Sequence, residues 1–74
     1  MTDKIIEIVK SILENDQISE KTLKEDIENW DSMNHLRIIF EIEEHYDIQI
    51  EPDEMNDFNS IENIKRIILK KINL

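Results

Sequence analysis

Apolar residues along the chain fall into three helical stripes, separated by two stretches where the period breaks down. Ile5, Ile6, Val9, Ile12 and Leu13 recur at helical spacing and predict a first helix, capped by Thr2 or Asp3 and running to about Asn15. Lys4, Glu7, Lys10 and Glu14 fall on its outward face, in position for i,i+3 and i,i+4 pairs. Ile38, Ile39, Ile42 and Tyr46 form the core stripe of a second helix over Asp31–Tyr46. Ile61, Ile64, Ile67, Ile68 and Ile72 form that of a last helix, with Leu69 at its margin. Asn59 or Ser60 caps this last helix, and Glu62 stands three residues after Asn59 as in a capping box. Lys65, Arg66, Lys70 and Lys71 lie toward its C-terminal end, where the helix dipole favours cations.

The two irregular stretches predict connections. From Asp16 to Trp30 the apolar residues Ile18, Leu23, Ile27 and Trp30 are unevenly spaced. A loop this long is expected to be stapled down by such anchors, with a short helical turn near Leu23–Ile27. Asp47–Glu51 alternates polar and apolar residues, but no partner strand is in sight, so an extended segment burying Ile48 and Ile50 is expected. Pro52 suits the first position of a helix and Asp53 and Glu54 suit its positive end, which predicts a short third helix over Pro52–Asn56. The expectation is an all-α chain: a small four-helix bundle with a long first loop and a short third helix.

The second helix carries more apolar surface than packing requires. At about 100° per residue, Met33, Leu36 and Phe40 line up on a second stripe about 140° round from the first. One stripe is enough to dock a helix on a core, so the second is spare. It lies beside Ser32, at the first helical position after Asp31, a residue suited to the N-cap. Ser32 thus lies beside the helix N-terminus, where backbone N–H groups and the positive end of the dipole favour an anion.

Composition narrows the classes open to the chain. Seventy-four residues suit one domain, 1–74, with no room for a second core. The 18 acids and 9 basic residues give a net charge of −9. Such a chain repels nucleic acid and anionic membrane surfaces and favours basic protein partners. With no cysteine there is no disulfide framework and no thiolate metal or redox site. No apolar run approaches the ~18 residues of a membrane span. The start, Met-Thr-Asp-Lys, lacks the charged-then-apolar layout of a signal peptide. The expectation is a soluble, cytoplasmic monomer. There is also no glycine, so any left-handed turn falls to Asn or Asp.

Asp31-Ser32-Met33, followed by Leu36, Ile39-Phe40 and Glu43-Glu44, resembles the Asp-Ser-Leu helix of the acyl and peptidyl carrier proteins. Tyr46-Asp47-Ile48-Gln49-Ile50 is similar to that family's aromatic-Asp/Gly-Ile-x-Ile segment, and Ser60-Ile61 to the start of its last helix. The resemblance covers most of the chain, with the first helix matching in pattern alone. It implies a bundle of acyl-carrier type and 4′-phosphopantetheine, attached to Ser32, as cofactor. It also implies that Asp31, besides capping, helps a phosphopantetheinyl transferase hold its metal. Met33, Leu36, Arg37, Phe40 and Glu44 correspond to the partner-facing positions. The implied function is to hold an acyl or aminoacyl group as a thioester for partner enzymes, not to catalyse. The implied partners are that transferase, an acyl- or aminoacyl-loading enzyme, and a downstream synthase or transferase. Carriers of fatty-acid synthesis tend to have acids at the positions of Asn34 and Arg37. Met33 replaces the usual leucine, as in some carriers of D-alanine, and Asn29-Trp30 stand where many members have a glycine. A specialised biosynthetic pathway is therefore expected, with fatty-acid synthesis as the alternative.

Three other readings compete. A Ser32–His35 hydrolase site is suggested by their i,i+3 spacing, but it needs an oxyanion hole and a closed pocket that so small a chain hardly provides. His35 is expected to be partly buried against the first loop and Trp30 to be a packing residue, while His45 lies off the His35 face. An EF-hand-like calcium loop from Glu51 would use Asp53, Asp57, Asn59 and Glu62. It would have Met55 at a ligand position, Asn56 where glycine is required, and Pro52 inside the run. A helical adaptor would use the spare stripe without any modification.

Overall fold

A computed structural model describes residues 1–72. The order is α1 (Thr2–Leu13), a 3₁₀ turn (Lys24–Asp26), α2 (Ser32–Tyr46), α3 (Pro52–Met55) and α4 (Ile61–Ile72). The predicted helical bundle, long first loop and short third helix are all present. α1 packs against both α2 and α4. The core between them is largely isoleucine, with Ile5, Ile38, Ile39, Ile42, Ile64 and Ile68 fully buried around Phe58. No helix among the described residues is long and apolar enough to cross a membrane.

Several local expectations are corrected. α1 begins one or two residues earlier than predicted: Met1 is its N-cap, and its carbonyl accepts from Lys4 and Ile5 N–H at 3.1 Å each. Neither Thr2 nor Asp3 caps it. Its buried face is Ile5, Ile8, Val9 and Leu13, while Ile6 and Ile12 are only partly covered. The predicted stripe was therefore rotated, because α1 faces two partner helices rather than one. α1 stops at Leu13 because Glu14 turns left-handed (φ 51°) and its N–H donates back to Lys10. Lys4 and Glu7 do pair, at 3.4 Å. Ile72, expected in the core stripe of α4, is 44% exposed.

The long loop is stapled by Ile18 and Trp30, both buried, and by the half-buried Ile27. Leu23, 40% exposed, is not an apolar anchor. Its backbone is what is tied: Leu23 bridges Ser60, with Lys24 N–H donating to Asn59 O at 2.8 Å and Ile61 N–H to Thr22 O at 3.2 Å. Ser60, not Asn59, caps α4, because Ser60 Oγ accepts from Asn63 N–H at 3.0 Å. Ile50 is buried and Ile48 partly so. Ile50 N–H donates to Glu43 Oε2 at 2.8 Å, which holds the extended segment along α2.

Candidate functional site

The site is built on the first turn of α2. Asp31 has extended backbone (φ −89°, ψ −174°), and its Oδ1 accepts from Asn34 N–H at 2.9 Å. Asp31 O accepts from His35 N–H at 2.8 Å, so both side chain and backbone of Asp31 fix the turn. Asn34 reaches back and donates through Nδ2 to Asn29 O at 2.8 Å. Asn29 in turn donates to Leu13 O at 2.8 Å, binding the loop to the end of α1. Ser32 occupies the first helical position and is exposed, as is Asp31.

Beyond Ser32 the helix divides as expected. Ile38, Ile39 and Ile42 have no exposed surface, whereas Met33 is 70%, Phe40 58% and Leu36 43% exposed. Arg37 and Glu44 are exposed as well. The structure thus leaves the five predicted partner-facing side chains on the surface. Tyr46, expected in the core stripe, only packs against its edge. Its hydroxyl is buried without a hydrogen-bond partner among the described residues. Burial pushes its pKa above the ordinary value, only partly opposed by nearby Lys4.

Ser32 also opens onto a cleft of about 750 Å³, within the usual size range of small-molecule sites. His35, Leu36 and Ile39 of α2 line it together with Met55 and Asn56, the Leu23–Glu25 turn and the start of α4. His35 is a junction that the sequence did not reveal. The indole N–H of Trp30, which can only donate, lies 3.0 Å from His35 Nδ1. Nδ1 must therefore accept, which puts the ring proton on Nε2, 2.8 Å from Met55 O. Phe58 meets the imidazole edge-on at 6.5 Å. The expected burial of Trp30 and partial burial of His35 both hold.

The competing chemistries fare differently. Both ring nitrogens of His35 are engaged away from Ser32, so His35 is not placed to act as its general base. The would-be calcium loop is interrupted by α3, which makes Pro52–Met55 helical. Glu51 N–H donates to Glu54 Oε1 at 2.8 Å, and Lys71 Nζ lies 2.7 Å from the same carboxylate. Lys71, followed by the Glu51 N–H, holds the Glu54 carboxyl below the usual range. Lys71 thus does more than complement the helix dipole. It ties α4 to α3.

A family model described as "Phosphopantetheine attachment site" matches residues 3–68. No curated protein matches the chain significantly.

Proposed function

The chain belongs to the phosphopantetheine-attachment family, whose members carry 4′-phosphopantetheine covalently on a serine, and we propose that here this serine is Ser32. One observation carries the reading. Ser32 is exposed at the N-terminus of α2, and the apolar residues that follow it are exposed too, although the helix already has a complete core face. A helix that serves packing alone has no use for a second stripe, and exposed apolar patches mark contact sites.

The residues around Ser32 suit such a group. The N-terminal end of α2 favours the negative charge of a phosphodiester. Asp31 spends Oδ1 on Asn34 and keeps Oδ2 to help the transferase hold its divalent metal. The group itself supplies a flexible arm ending in a thiol that takes an acyl or aminoacyl cargo as a thioester. Met33, Leu36 and Phe40 form the docking face, with Arg37 and Glu44 setting its charges. The phosphopantetheinyl transferase, the loading enzyme and the downstream synthase or transferase dock there in turn. Residues 1–74 act as one carrier domain, a monomer in the cytoplasm, which presents its cargo and performs no catalysis. Met33, Asn34 and Arg37 favour a specialised biosynthetic pathway over fatty-acid synthesis.

Intact mass after incubation with a broad-specificity phosphopantetheinyl transferase, Mg²⁺ and coenzyme A tests this. The wild-type chain gains one phosphopantetheine, and Ser32→Ala stays folded and gains none. Modification at Ser11, Ser19 or Ser60 would refute the assignment. A wild-type chain that takes no group at all would favour an unmodified adaptor.

A further inference from the structure

We propose that His35 is a positioning residue. As a neutral imidazole protonated on Nε2, it ties α3 and the end of the long loop to α2, and so fixes the cleft beside Ser32. α3 has only four residues, none of them fully buried, and a helix of one turn does not persist by its own hydrogen bonds. What holds it is a small set of ties. Lys71 grips Glu54 from α4, Met55 packs partly against the core, and His35 Nε2–H donates to Met55 O at 2.8 Å. That carbonyl ends the helix and lacks an intrahelical partner. It takes a second, longer bond of 3.3 Å from Phe58 N–H.

The other nitrogen makes the ring hard to replace. Trp30 is 3% exposed, and its indole N–H has Nδ1 as acceptor at 3.0 Å. One ring therefore satisfies a donor from the loop and an acceptor from α3, while its backbone lies in the first turn of α2. His35, Ser32 and Met55 line the same cleft. His35 is thus the link through which the position of α3 is set relative to the modification site. The kinetic consequence rests on Ser32 being the attachment serine, but the structural role does not.

The two bonds are separable. In Asn the side-chain oxygen falls near Nδ1, and in Gln the side-chain nitrogen falls near Nε2. His35→Asn thus keeps the acceptor for Trp30 and loses the donor to Met55. His35→Gln does the reverse. Long-range nitrogen NMR of the wild-type ring at neutral pH is expected to show Nε2 protonated and Nδ1 bare. Amide exchange at Met55, Asn56 and Asp57 should quicken about two- to tenfold in His35→Asn, the weight of one hydrogen bond. It should stay near wild type in His35→Gln. Trp30→Phe keeps the Met55 bond and should leave that exchange within about twofold. With the transferase, Mg²⁺ and coenzyme A, His35→Asn should raise KM for the chain and spare kcat, and His35→Gln should restore KM. A ring protonated on Nδ1, or unchanged α3 exchange in His35→Asn, overturns the proposal. Tautomer and exchange need no arm, so they decide His35 even if Ser32 accepts none.

Discussion

Truncation of three side chains on α2 tests whether the helix really carries one structural face and one free face. Ile42 has no exposed surface and packs in the centre of the bundle. Its replacement by alanine removes buried methyl groups and leaves a cavity, at about 2–5 kcal/mol. A chain of this length has on the order of 4–11 kcal/mol of stability in all, so Ile42→Ala should remove a large share of it. Phe40 is 58% exposed. Full burial of such a side chain is worth ~1.5–3 kcal/mol, and less than half of it is covered, so Phe40→Ala should cost about 1 kcal/mol. Leu36 is 43% exposed and lines the cleft, so more of it is covered than of Phe40, and Leu36→Ala should cost slightly more, about 1–1.5 kcal/mol. Urea melts with a shared slope read these differences directly. The same two mutants should weaken docking of the transferase by more than ~1 kcal/mol each, as loss of an apolar anchor does, and Ile42→Ala should not do so at temperatures where it is folded. If Phe40→Ala lowers the urea midpoint as far as Ile42→Ala does, the exposed stripe contributes to the core and the docking face has been misassigned.

Two further predictions concern charge. The Glu54 carboxyl has its pKa lowered, chiefly by Lys71. Its contribution is fully present above the ordinary value of 4.5 and is lost as pH falls through the depressed folded value. Lys71→Met should remove about 0.5–1 kcal/mol near neutral pH and flatten the acid limb of the stability curve; equal acid limbs in mutant and wild type would rule the pair out. The net charge of −9 predicts that NaCl raises the melting temperature by screening repulsion. Millimolar Mg²⁺ and Ca²⁺ should act alike, and a Ca²⁺ effect far above that of Mg²⁺ would restore the calcium-loop reading.

How much of this was legible in the sequence depended on whether the physics was local. The Asp31 cap and the exposed Ser32 follow from neighbours within one turn, and both could be read directly. The core stripes of α2 and α4 follow from the helical period, except at their C-terminal ends, where Tyr46 is only partly buried and Ile72 is exposed. α1 was read one position off, with Ile6 and Ile12 in place of Ile8, because the period gives a stripe's width but not the two helices it must face. Leu23 misled for a different reason. Its side chain looked like an anchor, but the tie is made by backbone groups to Asn59 and Ser60, which carry no side-chain signature. His35 was the hardest. Its partners lie five and twenty residues away, and one of them is a main-chain carbonyl. Left-handed turns were expected at Asn or Asp for want of glycine; Asp47 (φ 53°) fits, but Glu14 (φ 51°) does not. At Glu14 the requirement to end α1 and turn the chain into the loop overrides a local preference worth about 1–3 kcal/mol.

The two faces of α2 also explain where a carrier of this family can change its partners without risk to its fold. Ile38, Ile39 and Ile42 allow no exposure, so a change there would be felt in the bundle. Arg37 is exposed and Asn34 only half-covered, and these are the two positions where carriers of fatty-acid synthesis tend to have acids. Arg37 faces solvent, so a reversal of charge at that site falls on the surface the helix presents outward. Opposite charges steer encounter and like charges penalise wrong partners. A partner suited to Arg37 therefore meets an otherwise acidic chain with basic groups, yet must offer an acceptor or an acid opposite this one position. That mixed requirement is more selective than the uniformly basic surface an all-acidic helix would recruit.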